Sequence, residues 1–203
     1  MRSIFLISLI LFLSITSCQK DNKNEGLQIF RYNESNGINS LDPAFANDKA
    51  SIWACSQVFS TLVRMDDSMN VTPLIAKDWS VSDSGRTYKF ILRDDVYFHD
   101  HKIFENGEGR GVIASDFVYS FNRLRSSNLS STGSWVLNNV LDFHAYDDTT
   151  FIISLRDAFI PFESILSMQY CSVVPYELAD SSQFRSHPVG TGPFKFQYWK
   201  INF

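Results

Sequence analysis

The chain has 203 residues, with 18 Lys and Arg against 22 Asp and Glu, a formal net charge of −4. No basic block interrupts this mildly acidic balance, which excludes nucleic acid as a partner. Hydrophobic residues make up 44% of the sequence and aromatics 15%, enough for one sizeable core or two small lobes.

In chain order, the first element is an export signal. Arg2 supplies a positive start, Ile4 to Ile15 is an apolar run broken only by serines, and small polar residues lead into Cys18. The run is too short to span a hydrocarbon core of about 30 Å comfortably, and it sits where a cleavable signal sits. Ile15-Thr16-Ser17-Cys18 resembles the lipobox of bacterial lipoproteins. The resemblance implies cleavage before Cys18, whose sulfur then carries a diacylglyceryl group. Residues 1–17 are thus expected to be a signal peptide. Acyl chains such as palmitate on Cys18, at about 0.8 kcal/mol per buried methylene, would anchor the body at a membrane. Without residues 1–17 the chain has 186 residues and a net charge of −5. Residues 18–26, "CQKDNKNEG", then form a polar, lipidated tether. Cys18-Gln19-Lys20-Asp21 also resembles the start of a surface-export signal of some Gram-negative lipoproteins. The anchored body is expected on the periplasmic side of a bacterial membrane, with the outer surface as the alternative. No later apolar run reaches membrane length.

Leu27 to Tyr32 alternates like a strand, and a loop with Gly37 and Pro43 follows. Asn47 is the expected N-cap of a helix through "DKASIWACSQVFSTLV", with Ile52, Cys55, Val58, Phe59 and Leu62 at helical spacing. After a turn at "RMDDSMN", residues 71–93 read as a hairpin. Trp79 and Val81 alternate on one arm, Asp83-Ser84-Gly85 makes the turn, and Tyr88, Phe90 and Leu92 alternate on the other. "KIFENGEGRGVIA" reads as a loop. Ser115 is the expected cap of a helix with Phe117, Phe121 and Leu124 on one face. Two strands joined at Asp147-Asp148 follow, then a short helix opened by Pro161. "YCSVV" reads as a short buried strand, "PYELA" as a helix start, and "HPVGTGPFKFQYWKINF" as a glycine turn before an alternating strand. The fold class is mixed α/β.

Six stretches in this order carry a family resemblance. Leu41-Asp42-Pro43 follows the first strand, and Val71 to Trp79 resembles "P-x-L-A-x-x-W". Ser82 to Phe90 resembles "S-x-D-G-x-x-Y-x-F", and Leu92 to Asp100 resembles "L-R-x-x-V-x-F-H-D". Ala114 to Leu124 resembles "A-x-D-F-V-Y-S-x-x-R-L", and Pro188 to Phe194 reads "P-V-G-T-G-P-F". Together they resemble family 5 of the bacterial extracellular solute-binding proteins, the oligopeptide- and dipeptide-binding receptors of ABC importers. The resemblance implies a bilobed fold like the type II periplasmic binding proteins. Residues 27–203 supply its first lobe and subdomain, as the N-terminal portion of a longer protein. It further implies a peptide ligand held largely through its main chain, ABC permease subunits as partners, and no enzymatic activity. In relatives the loop before the Leu41-Asp42-Pro43 motif faces the cleft, which makes Gly37, Ile38 and Asn39 the candidate ligand-facing backbone. The alternative is a lipid-anchored single-lobe scaffold or sensor without a transport role.

The remaining constellations do not build an enzyme. There is no Gly-x-Ser-x-Gly turn, and Gly190-Thr191-Gly192 lacks the Lys-Ser/Thr of a phosphate loop. Gly190 and Gly192 are read instead as permitting a tight backbone turn where the chain re-enters the first lobe. His99-Asp100-His101 offers three potential metal ligands in a row at the end of a strand. Asp100 should face away from the two histidines, so neither a metal nor another cofactor is expected. Cys55 and Cys171 lie among apolar neighbours and are expected as two separate buried thiols rather than a disulfide.

Overall fold

The computed structural model describes residues 29–178 and 184–200. It separates into two units, Met1–Glu34 and Ser35–Phe203. In the first, residues 29–32 form no strand, and Ile29, Phe30 and Tyr32 are exposed. The signal, the tether, Leu27 and the Cys18 anchor lie outside the described residues.

The second unit is built round a four-stranded antiparallel sheet. Helix α1 (Lys49–Val58) leads into a two-stranded ribbon of β1 (Val63–Met65) and β2 (Val71–Pro73). The sheet follows, from β3 (Ala76–Ser82), β4 (Thr87–Leu92), β5 (Val140–Asp147) and β6 (Thr150–Leu155), in the order β3-β4-β6-β5. Helix α2 (Ala114–Arg125) covers one face, and α3 (Phe162–Leu166) follows β6. The chain thus makes two hairpins, β3–β4 and β5–β6, which meet along β4 and β6.

The core follows from the period of two in the strands and 3.6 in α2. Tyr88, Phe90 and Leu92 are buried, and their cross-strand partners Ile153 and Phe151 bring rings and branched side chains to the same face. Phe117, Phe121 and Leu124 of α2 pack onto them. Phe151 sits 5.6 Å from Phe117 and 5.4 Å from Phe121 between ring centroids, and Phe121 meets Phe143 edge-on at 5.5 Å. Val81 shares this face but stays 45% exposed, because β3 is an edge strand. At the β3–β4 turn Asp83, Ser84 and Gly85 all have positive φ, and Gly85 at +91° is the position where a side chain would be most strained.

Several boundaries move from their sequence expectation. Asp48, not Asn47, caps α1, because its carboxylate reaches the Ser51 amide at 2.9 Å. Helix α1 ends at Val58 rather than running to Val63. The Gln57 and Val58 carbonyls, which continuation of the helix would pair with the amides of residues 61 and 62, accept the Phe194 and Gly192 amides instead. Ile52 is exposed, while Ala50, Ala54 and Cys55 form the buried stripe. Helix α2 starts two residues early, at Ala114. Ile113 occupies the cap position, and its amide donates to the Asp116 carboxylate at 3.0 Å. Residues 172–175 are buried but not a strand, since the Val173 amide goes to the Ser60 carbonyl and the Val174 amide to Ser120 Oγ. Tyr176–Glu177 is a turn rather than a helix start, and no strand is present over 195–200.

Cys55 and Cys171 are separate, buried free thiols, as expected. Burial pushes both up to about 12, so neither supplies a thiolate at neutral pH.

Candidate functional site

The Leu41-Asp42-Pro43 turn gathers three segments distant in sequence. Asp42 Oδ1 accepts from the Ala44 amide at 3.0 Å, capping a single 3-10 turn over Pro43–Phe45. Both carboxylate oxygens also receive Arg123 of α2, Oδ1 at 2.9 Å from Nη1 and Oδ2 from Nη2. The pair is almost fully enclosed, and the Arg123 guanidinium lies 4.2 Å from the Phe184 ring centroid. The Leu41 amide donates to the Arg185 carbonyl at 3.2 Å. Two motifs legible in the sequence, 41–43 and 114–124, are therefore held together by one buried, bidentate ion pair.

Beside this turn lies a cavity of about 680 Å3. Asn39, Asn47, Asn128, Thr132 and Arg185 contribute polar groups, and Phe45 and Leu129 an apolar edge. Of the three candidate ligand-facing residues, Asn39 lines the cavity. Its amide is turned inward to Ser51 Oγ at 3.2 Å, its Nδ2 donates to Asp48 at 3.1 Å, and its carbonyl accepts a long contact of 3.5 Å from Arg185 Nη2. Gly37 is exposed with open space where a Cβ would stand, and Ile38 is half-buried. Asp48 is held below the usual carboxylate range, first by the Ser51 amide and then by the Ser51 hydroxyl.

A second junction forms where residues 187–197 pass the 98–111 loop. His99 donates its amide to the Gly190 carbonyl at 2.8 Å, and its Nε2 lies 2.7 Å from the Gly192 carbonyl. The Gly192 amide donates to the Val58 carbonyl at 2.8 Å. A Cβ on Gly190 would stand 2.0 Å from that oxygen, and one on Gly192 2.6 Å from the Gln57 oxygen. Neither glycine has positive φ, so what demands glycine here is close backbone approach. Gly190→Ala is expected to loosen this crossing and accelerate amide hydrogen exchange at Gly192 and Phe194, leaving the β3–β6 sheet unaffected. Unchanged exchange at both amides would refute the close-approach account.

His99, Asp100 and His101 do not end a strand. Strand β4 stops at Leu92, and the trio lies in the loop after an isolated Tyr97–Gly111 bridge. The expectation of two histidines on one strand face with Asp100 opposite is therefore corrected. Asp100 accepts from the Gly109 amide at 3.1 Å and approaches Lys195 at 3.4 Å. His99, His101, His187 and Lys195 border a small cavity of about 100 Å3. Burial lowers the His101 pKa from the ordinary 6.5, and the charges of Lys102, His187 and Lys195 lower it further. A base disfavoured in its charged form within the fold contributes stability above the unfolded pKa and loses it as pH falls through about 6.5. The thermal midpoint should fall between pH 7 and about 5.5, well above the range where the carboxylates titrate, and His101→Gln should flatten that slope. An identical slope in the variant would exclude His101 as its source.

The 105–110 loop owes its place to Arg110, which sequence reasoning missed. Its guanidinium is bidentate to Asp116 at 2.6 and 2.8 Å and to Glu177 at 2.5 and 2.8 Å, with Tyr176 4.6 Å away. Burial opposes the Arg110 charge, but the two carboxylates outweigh it and raise its pKa. Asp116 stands in a legible motif; Glu177, 67 residues from Arg110, is a partner that no local pattern announces.

Capping turn, ring-packed sheet and glycine crossing define a lobe of the mixed α/β kind found in periplasmic binding proteins, and sequence comparison agrees. Residues 70–202 match the sequence model described as bacterial extracellular solute-binding proteins, family 5 Middle, and the chain belongs to that family. It is similar to heme-binding protein A of Haemophilus influenzae, 31% identical over 92% of this chain and 38% of that protein. It is also similar to the nickel-binding periplasmic protein of Escherichia coli, 31% identical over 74% of this chain and 28% of that protein. Among solved structures it resembles the periplasmic binding protein DppA of Helicobacter pylori in complex with the peptide STSA. There the TM-score is 0.72 at 30% identity, over 80% of this chain and 35% of that one. The chain thus spans about a third of the length of the curated relatives it matches.

Proposed function

We propose that this protein is the substrate-binding component of an ABC importer, capturing peptides outside the cytoplasmic membrane and delivering them to the permease subunits. The observation that carries the reading is the likeness, at 30% identity and a TM-score of 0.72, to a binding protein solved with a peptide. On this reading residues 27–203 form the N-terminal lobe of a two-lobed body, and Gly37, Ile38 and Asn39 face the ligand. The inward-turned Asn39 amide leaves the main chain of Gly37 and Ile38 as the part that meets the peptide backbone, in the manner of an added strand. Residues 1–17 are a signal peptide, and residues 18–26 a tether lipidated at Cys18 that holds the body on the periplasmic side of the membrane.

The test is calorimetric titration of di- to pentapeptides into the protein extracted with detergent from its native membrane. Low-micromolar binding is expected, together with an intact mass that includes acyl chains. Failure of every peptide to bind would overturn the importer reading in favour of a scaffold, and an unacylated mass would remove the anchor.

A further inference from the structure

Where residues 187–197 cross the 98–111 loop they enclose a small cavity of about 100 Å3, room for a few water molecules or one tetrahedral oxyanion. His99, His101, His187 and Lys195 line it. Asp100 lines it too, but both of its oxygens are engaged, Oδ1 by the Gly109 amide at 3.1 Å and Oδ2 by Lys195 Nζ at 3.4 Å. None of these residues lines the cavity beside the Leu41-Asp42-Pro43 turn.

Hydrogen bonds fix which ring nitrogens donate. His99 Nε2 lies 2.7 Å from the Gly192 carbonyl, which only accepts, so Nε2 carries a hydrogen. His99 Nδ1 is buried and meets no partner among the described residues. In the neutral ring this nitrogen is an acceptor without a donor, a costly state for a buried group. His101 is the reverse. Its Nδ1 accepts from the Ile103 amide at 3.4 Å, so the proton of the neutral ring sits on Nε2 as a donor. Lys195 brings three N–H donors, of which Asp100 takes one. One lone acceptor therefore stands in a site of several donors. Charge points the same way. Burial lowers the His101 pKa first, and the charges of Lys102, His187 and Lys195 lower it further, a convergence of positive groups that an anion would relieve.

We propose that this cavity binds inorganic hydrogen phosphate, its P–OH donating to His99 Nδ1 and its charged oxygens accepting from His101 Nε2 and Lys195 Nζ. The site does not rest on the peptide reading, since it shares no residue with the Gly37–Asn39 loop.

Calorimetric titration of the full-length protein with sodium phosphate, methyl phosphate and sodium sulfate at pH 7.5 tests it. Sulfate has no proton to donate, and a phosphate monoester, with its second pKa near 6, has largely lost its own. Inorganic phosphate should bind about tenfold or more tightly than either, the usual difference between meeting and stranding a buried acceptor. Lys195→Gln should weaken phosphate about tenfold without moving the thermal midpoint, because its pair with Asp100 is exposed. Saturating phosphate should also raise the His101 pKa in an NMR titration. Equal affinity for the three anions, no binding of phosphate, an unaltered Lys195→Gln variant or an unmoved His101 pKa would each overturn the proposal.

Discussion

Replacing Asp42 with alanine should lower the unfolding free energy by about 3–5 kcal/mol, the usual cost of leaving one member of a buried ion pair without its partner. Arg123 would keep its charge beside Phe184 in a site that is about 10% exposed, with no carboxylate to meet it. The same change removes the cap on the Ala44 amide, which by itself costs roughly 1 kcal/mol. Urea denaturation should show a lower midpoint at an unchanged slope, and the thermal midpoint should drop on the order of 10 °C. A double change, Asp42→Leu with Arg123→Met, should recover much of the loss, because two apolar groups need no partner. If the double variant falls as far as the single one, the cost lies in the cap and the turn and not in the stranded charge. The consequence reaches the cavity, because this pair holds its floor to α2.

Phe151→Ala should be comparably severe, at about 3–5 kcal/mol. Phe151 is fully buried in the middle of the sheet, and it is the ring on which Phe117, Phe121 and Phe143 converge. Removing it deletes apolar area from water exclusion and leaves a void that three rigid rings cannot close. Phe151→Leu refills most of the volume and should cost less than half as much. Parallel denaturation curves of both variants check the prediction. Similar losses would mean that ring geometry, rather than cavity volume, sets the cost.

How much of this was legible in sequence depends on range. The β3–β4 hairpin was readable because every signal for it is local. Tyr88, Phe90 and Leu92 alternate, and Asp83-Ser84-Gly85 supplies the residues that tolerate positive φ. The inward face of α2 was readable for the same reason, from Phe117, Phe121 and Leu124 at helical spacing. The family was legible because its motifs recur in order along the chain. The candidate site was legible only in part: Asn39 does line a cavity, while Arg185, Asn128 and Thr132 lie far along the chain and carry no motif.

The sequence by itself determined the mixed α/β class, the core faces of β4 and α2, and the family. Each rests on periodicity, composition or a short ordered pattern. Only the tertiary structure decided where α1 stops, that residues 172–175 are buried without laddering, and that Gly190 and Gly192 serve close approach to Val58. It also joined Asp42 to Arg123 across 81 residues and Arg110 to Glu177 across 67. In each of these the deciding partner is remote in the chain. A backbone amide or a charge takes whichever partner folding brings within about 3 Å, and no local pattern names that partner.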